Sequence, residues 1–136
     1  MKSEVLDRVP SSDLRVFIVW LPILYRDTKD AAVEAAALVP DARASHFYDA
    51  TMELSNALGE ALQIPASSGD SDPRFGHAWD VYLAYPLGAR WISVTPPRTF
   101  WMHQLTVLSP AKAPRLDGAA LRAHVEGLLA PTAKAP

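Results

Sequence analysis

The chain contains no cysteine. That excludes a disulfide, a thiolate nucleophile, a cysteine-held iron–sulfur cluster and a thiolate zinc site. It also lacks an excess of positive charge, with 13 lysines and arginines against 15 aspartates and glutamates for a formal charge of −2. Nothing in that balance provides for neutralising a phosphate backbone, so nucleic acid is not an expected partner. No apolar run approaches the roughly 20 residues that span a bilayer, and the longest extends from Val16 to Leu24. There is no Gly-rich phosphate cradle, and no Gly-x-Ser-x-Gly elbow accompanies the hydroxyls of Ser45, Ser67 and Ser68. Serine-hydrolase chemistry is therefore not expected. Met1 to Pro10 carries Glu4, Asp7 and Arg8 where a signal peptide has its apolar centre. A cytoplasmic location follows as the expectation, or a periplasmic or secreted one if a leader has been removed ahead of Met1.

What is present suits one packed domain. The 136 residues are 49% hydrophobic and 21% charged, close to the average for globular domains. Twelve prolines cluster between periodic segments and mark the joints. Residues 1–13 read as an N-terminal extension, 14–130 as the domain and 131–136 as a flexible, low-complexity tail.

Leu14 to Leu21 is rich in β-branched and aromatic residues and barely alternates, which predicts a central strand buried on both faces. Beyond Asp27 and Thr28, the spacing of Ala31, Ala32, Ala35, Ala36 and Val39 predicts a helix ending at Pro40. Arg43 to Tyr48 reads as a short half-buried strand. Asp49 reads as the cap of an amphipathic helix with Met52, Leu54, Leu58, Ala61 and Leu62 on its apolar side and Ser55 among the polar residues. Gly59 costs that helix on the order of 1 kcal/mol against alanine. Ala66 to Gly76 reads as a polar loop. Trp79 to Tyr85, a turn over Tyr85-Pro86-Leu87-Gly88 and Ala89 to Ile92 read as a β-hairpin. Phe100 to Leu105, beyond Thr95-Pro96-Pro97, reads as a short strand or an ordered loop. Asp117 caps a last helix carrying Leu121, Val125, Leu128 and Leu129, with Leu116 placed to staple onto Leu121.

Right-handed crossovers make the first two strands parallel neighbours, and the hairpin extends the sheet with helices on both faces. This β-α-β-α-β-β-α order over roughly residues 14–130 resembles the thioredoxin-like family, an α/β three-layer sandwich with a central mixed sheet. Val16-Phe17-Ile18-Val19-Trp20 resembles the strand that leads into that family's Trp-Cys-Gly-Pro-Cys turn, and Trp20-Leu21-Pro22-Ile23-Leu24 stands in its place. Both redox positions are leucine. Asp49 to Pro65 resembles the family's second helix, and Val81 to Gly88 its third strand and hairpin. Where the family places a cis-proline, this chain has Gly76-His77-Ala78-Trp79-Asp80. The chain also resembles bacterial thioredoxin-like proteins with a Trp-Leu-Pro turn. Thiol–disulfide exchange needs a thiolate, so a member of this kind is expected to be redox-inactive.

Two functional readings follow from the side chains. In the first, Trp20, Leu21, Pro22, Ile23, Leu24, Tyr25, Trp79 and Trp101 form an apolar surface for a protein partner or a homodimer. No cofactor is expected under that reading. In the second, His46, His77, Met102 and His103 gather as a copper or zinc site, imidazole and thioether being its ligands. His77 and Asp80 would also form a small-molecule site, conceivably an enzyme's, with Arg74, Arg90 or Arg98 available to pair with Asp80. For most of these residues the plainer role is packing, and for Asp49 it is helix capping.

Overall fold

The computed structural model describes residues 1–65, 76–91, 100–105, 108 and 113–130. The β-branched run becomes β1, Val16–Trp20, and the second strand becomes β2, Ala44–Tyr48. They pair in parallel, in register from Val16 opposite Ala44 to Trp20 opposite Tyr48. A parallel pair needs a crossover, and α1, Lys29–Ala36, supplies it. Thr28 caps α1 by accepting the Ala31 N–H at 3.2 Å.

β1 is not buried on both faces as its sequence suggests. Phe17 is 69% exposed, tilted against Phe47 with ring centroids 6.3 Å apart. The alanine face of α1 offers little area to draw this sheet inward, and no side chain of β1 or β2 joins either buried cluster among the described residues.

The amphipathic run forms α2, Glu53–Ala61, and the last forms α3, Gly118–Leu129. Asp117 caps α3 as the sequence predicts, accepting from Ala120 N–H at 2.9 Å. Leu116 packs against the same cluster as Leu121. Between the two helices, β3, Val81–Ala84, and β4, Phe100–His103, pair antiparallel.

This pairing corrects the hairpin. The partner of β3 is Phe100–His103, where Ala89 to Ile92 is expected from the sequence; the described turn falls over Pro86 to Ala89, and Ile92 lies outside the described residues. Ala89 N–H donates to Pro86 O at 3.1 Å, with Gly88 at φ 78° in the position where such a turn requires positive φ. Trp91 is left 48% exposed. Residues 66–75, 92–99, 106–107, 109–112 and 131–136 lie outside the described residues, and with them Ser67, Ser68, Arg74 and Arg98.

Strand alternation divides β3–β4 between two cores. Tyr82, Ala84, Phe100 and Met102 pack with Leu121 and Val125 of α3 and with Val5 and Val9. Val81, Leu83 and Trp101 pack with Leu58 of α2, Ala78 and Leu105. Residues 1–9 pack against these elements, with Val5 and Val9 in the cluster beside α3. Lys2–Leu6 forms a π-helical turn, Glu4 pairs with Arg122 of α3 at 2.9 Å, and Val5 and Leu6 are each 3% exposed. The Arg43 guanidinium fastens this segment, donating to the carbonyls of Leu6 at 2.6 Å, of Ser11 at 3.3 Å and of Val9.

The described strands make two two-stranded sheets, β1–β2 and β3–β4. Their hydrogen-bond phase fixes which way the backbone groups of each strand point. Val16 N–H donates to Arg43 O, and Trp20 O accepts from Asp49 N–H. Alternate residues of a strand address the same neighbour, so Val16, Ile18 and Trp20 address β2, and Phe17 and Val19 turn their backbone groups to the other side. Gln104 N–H donates to Asp80 O, so Tyr82 and Ala84 address β4, and Val81 and Leu83 address the opposite edge. β1 and β3 border the same cleft of about 1350 Å³, closed further by Ala32 and Ala35 of α1 and by Leu121 and Val125 of α3.

Candidate functional site

One end of this cleft gathers most of the predicted partner-binding residues. Trp20, Leu21, Ile23, Leu24 and Trp79 line it, as does Asp80 of the predicted small-molecule pair. A run of hydrogen bonds holds the end together. Trp20 O accepts from Asp49 N–H at 3.0 Å, and the Asp49 carboxylate accepts from the N–H groups of Glu53, Leu54 and Ser55 at 3.1, 3.0 and 3.2 Å. Ser55 O accepts from Ala78 N–H at 3.0 Å, and Ser55 Oγ donates back to Ala78 O at 3.3 Å. The carboxyl end of β1 is thereby tied through the head of α2 to the segment that starts β3. Asp49 caps α2 as predicted, although it reaches past Met52, the residue that directly precedes the helix with φ 59°.

The turn after β1 divides its side chains. Ile23 is 6% exposed and belongs to the interior, whereas Leu24 is 57% and Tyr25 99% exposed. Leu21 and Pro22 are half-buried. Asp27 shapes the turn by accepting from Leu24 N–H at 2.7 Å, and Tyr48 Oη donates to Asp27 O at 3.1 Å. Trp101 packs on the α2 side of β4, against the same buried cluster as Trp79.

The histidines do not meet. His46 lies beneath Trp20, with ring planes 6° apart and Nδ1 accepting the indole N–H at 3.3 Å, while its Nε2 lies 3.4 Å from Val39 O. His77 Nδ1 is 2.5 Å from Asn56 Oδ1. His103 is fully buried; its Nε2 donates to Ala113 O at 3.2 Å, and its Nδ1 has no hydrogen-bond partner among the described residues. Met102 is its neighbour in β4 and packs toward α3, on the other face of the strand. Met102 and His103 therefore cannot converge on one ion. Among the described residues no three histidine, aspartate or glutamate side chains gather as a metal site. His124 stacks on Phe100 at 4.0 Å, a packing role.

Asp80 stands at φ 49°, in the left-handed region, with its carbonyl fixed by Gln104 N–H at 2.9 Å. Its carboxylate has no cationic partner among the described residues, Arg90 included. Withdrawal from water pushes its pKa up, and Tyr82 is raised by burial and then by the charge of Asp80.

Sequence reasoning missed Ser55 and Gly59. Ser55, read as polar surface, is 1% exposed, and Gly59 stands one turn further along the same face. Together they form the notch that receives Gly76 to Ala78. The spacing of two small residues four apart, on a helix whose large apolar side chains are Leu54 and Leu58, was the available signal. Tyr48, Asn56 and Gln104 also escaped notice, and nothing local distinguishes them.

No helix among the described residues is long and apolar enough to cross a membrane. Compared with protein-family models, with curated proteins and with solved structures, the chain matches none.

Proposed function

We propose that the chain is a thioredoxin-like binding module without thiol chemistry, whose turn at Leu21 to Tyr25 docks an apolar segment of a protein partner. The order β-α-β-α-β-β-α supports the fold reading, as do parallel β1–β2, antiparallel β3–β4 and helices on both faces of β3–β4. In that reading β1 and β3 are neighbours in one sheet, and the facing free edges of Phe17, Val19, Val81 and Leu83 are the groups that would join. The observation that carries the functional reading is the exposure of Leu24 and Tyr25 directly beside buried Ile23, with Leu24 on the cleft that Trp20 and Trp79 also line. Large apolar side chains kept in water on a fastened turn favour an interaction surface over a packing role.

The test is association. Analytical ultracentrifugation and pull-downs with the wild-type chain should give a homodimer or a retained protein. Leu21→Asp and Leu24→Asp should abolish it, because a carboxylate in a dry contact is left unpaired. Association that survives both changes rules the surface out.

A further inference from the structure

β2 holds the turn after β1 at both of its ends. Where the chain leaves the turn, Tyr48 Oη donates to Asp27 O at 3.1 Å. Where it enters, His46 meets Trp20, the last residue of β1. The indole N–H donates to His46 Nδ1 at 3.3 Å, and His46 Nε2 lies 3.4 Å from Val39 O, just beyond α1. The two side chains reach each other because His46 is in register with Ile18, two residues before Trp20, which puts them on one face of the parallel pair. An indole nitrogen can only donate, so the Nδ1 that receives it is unprotonated and the ring proton sits on Nε2, toward the Val39 carbonyl. This arrangement fits neutral imidazole. Imidazolium carries a proton on Nδ1 as well, so two N–H donors would confront each other in a half-buried contact and each would lose its partner. The ring centres are 6.1 Å apart against 3.3 Å between the nitrogens, so the contact is made at the ring edges and the cation gains no indole face to rest on.

We propose that the Trp20–His46 contact is an acid-opened latch on this turn: between about pH 8 and pH 5, where an imidazole takes up its second proton, His46 releases the indole and Trp20 swings away from β2. The backbone stays fastened, because Trp20 O keeps Asp49 N–H at 3.0 Å, so the change falls on the side chain directly ahead of Leu21. The consequence for binding rests on the reading of Leu21 to Tyr25 as the docking turn, and it adds regulation to that surface: docking weakens as the pH falls. The charges on the surrounding elements are engaged elsewhere. Among the described residues no carboxylate pairs with His46; Asp41 is taken by Arg43 at 2.7 Å, Asp27 accepts Leu24 N–H, and Asp49 accepts the amides at the head of α2. Arg15, ahead of β1, donates to the carbonyls of Ser12 and Leu14, and Arg26 of the turn and Lys29, Asp30 and Glu34 of α1 are exposed. Asp80, which lines the same cleft as Trp20, also takes its proton above the ordinary carboxylate range, so the readout must be specific to His46.

The test is nitrogen-15 NMR of the full-length protein from about pH 8 to pH 5, above the range in which Asp41 titrates. Ring-nitrogen shifts give the tautomer and midpoint of His46 separately from those of His77, His103 and His124. At the alkaline end His46 should be the Nε2–H tautomer. As the pH falls, the Trp20 indole proton should move upfield, as loss of its hydrogen bond requires, with the same midpoint as His46. In His46→Asn, whose carbonyl oxygen offers an acceptor near the place of Nδ1 and does not titrate, that movement should vanish. An Nδ1–H tautomer at the alkaline end, an indole signal that stays in place while His46 titrates, or a shift that survives in His46→Asn overturns the latch. The two midpoints are read on wild type, so the result does not depend on the variant folding. Control of docking is read by ultracentrifugation at both ends of the same pH range. Association should weaken about three- to tenfold in wild type, the worth of one hydrogen bond, and stay level in His46→Asn. Level association in wild type beside coincident midpoints overturns the control of docking. Association that Leu24→Asp leaves untouched fails the docking reading and not the latch, which the two midpoints decide alone.

Discussion

Gly59 of α2 lies against the carbonyl of Gly76, so closely that a Cβ built at position 59 would stand 2.0 Å from that oxygen. Two opposed effects meet there. Alanine in place of a mid-helix glycine should stabilise by about 1 kcal/mol through helix propensity. The contact with a backbone carbonyl cannot relax by rotating a side chain, and forcing the segment off α2 also strains the Ser55–Ala78 hydrogen bonds. Overpacking of this kind costs about 1–3 kcal/mol or more. Gly59→Ala should therefore lower the melting temperature, and a rise would show that Gly76 to Ala78 does not sit in the notch.

Asp49 gives a second, independent handle on the same end of the molecule. Its carboxylate accepts three backbone N–H groups at the head of α2, while its own N–H bonds Trp20 O. Asp49→Ala should cost about 1–2 kcal/mol in denaturant unfolding, the range for a lost cap. Asp49→Asn and Asp49→Ser should restore part of it. Amide exchange at Glu53, Leu54 and Ser55 should quicken in the alanine variant.

Much of this architecture is legible in the sequence, and the part that is not has definable causes. Periodicity and caps are local, so α1, α2, α3 and the parallel β1–β2 pair follow from Thr28, Asp49, Asp117 and the apolar spacings. The hairpin failed because Pro86 and Gly88 announce a turn without saying which segment returns to pair, and the return comes only at Phe100. The first nine residues looked detached because their anchor, Arg43, lies more than thirty positions away in sequence. Met102 and His103 looked like a ligand pair because adjacent residues are close along the chain, whereas a strand sends them to opposite faces. Of the predicted partner surface, Trp20, Leu21, Ile23, Leu24 and Trp79 line one cleft, Ile23 as a buried residue, while Tyr25 is outside that lining and Trp101 packs with Trp79 on the α2 side.

Neighbouring positions in the turn should accordingly respond in opposite ways. Ile23→Ala removes buried volume and should cost about 2–4 kcal/mol of stability. Leu24→Ala should stay within about 0.5 kcal/mol of wild type, since the side chain is already largely in water. Urea titration of the two variants decides it. Equal costs would place Leu24 in the interior and remove it from any docking surface.

Tyr85 offers a test of the cleft interior. Its hydroxyl is buried without a hydrogen-bond partner among the described residues, and burial pushes its pKa above the ordinary phenol value. An unmatched hydroxyl in apolar surroundings is unfavourable, so removing it should be neutral or stabilising. Tyr85→Phe should raise stability by about 0–1 kcal/mol. A clear loss would mean that the hydroxyl has a partner.

Acid should act on two aspartates with opposite sign. The Arg43 guanidinium beside Asp41 donates at 2.9 and 2.7 Å, and the Arg43 backbone N–H donates as well; together they hold the Asp41 carboxyl at about 2, below its ordinary 3.8. A carboxyl lowered in the folded state contributes stability that is present in full above the ordinary value and lost as the pH falls from about 4 through about 2. Asp80 is raised, so its ionised form disfavours the folded state, and protonation relieves that penalty as the pH falls toward its folded value. The wild-type chain should thus lose stability below pH 4 through Asp41, partly offset by Asp80. Asp41→Asn should flatten the loss between about pH 4 and pH 2, and it should free the N-terminal segment, because Arg43 then lacks the carboxylate that aims it at Leu6 and Val9. Asp80→Asn should instead steepen the net acid loss, since the offsetting group is gone. Urea midpoints from pH 2 to pH 7 for the three proteins, with amide exchange at Val5 and Leu6, separate these effects. A pH profile for Asp41→Asn that parallels wild type below pH 4 would show that the Asp41–Arg43 pair does not hold in solution.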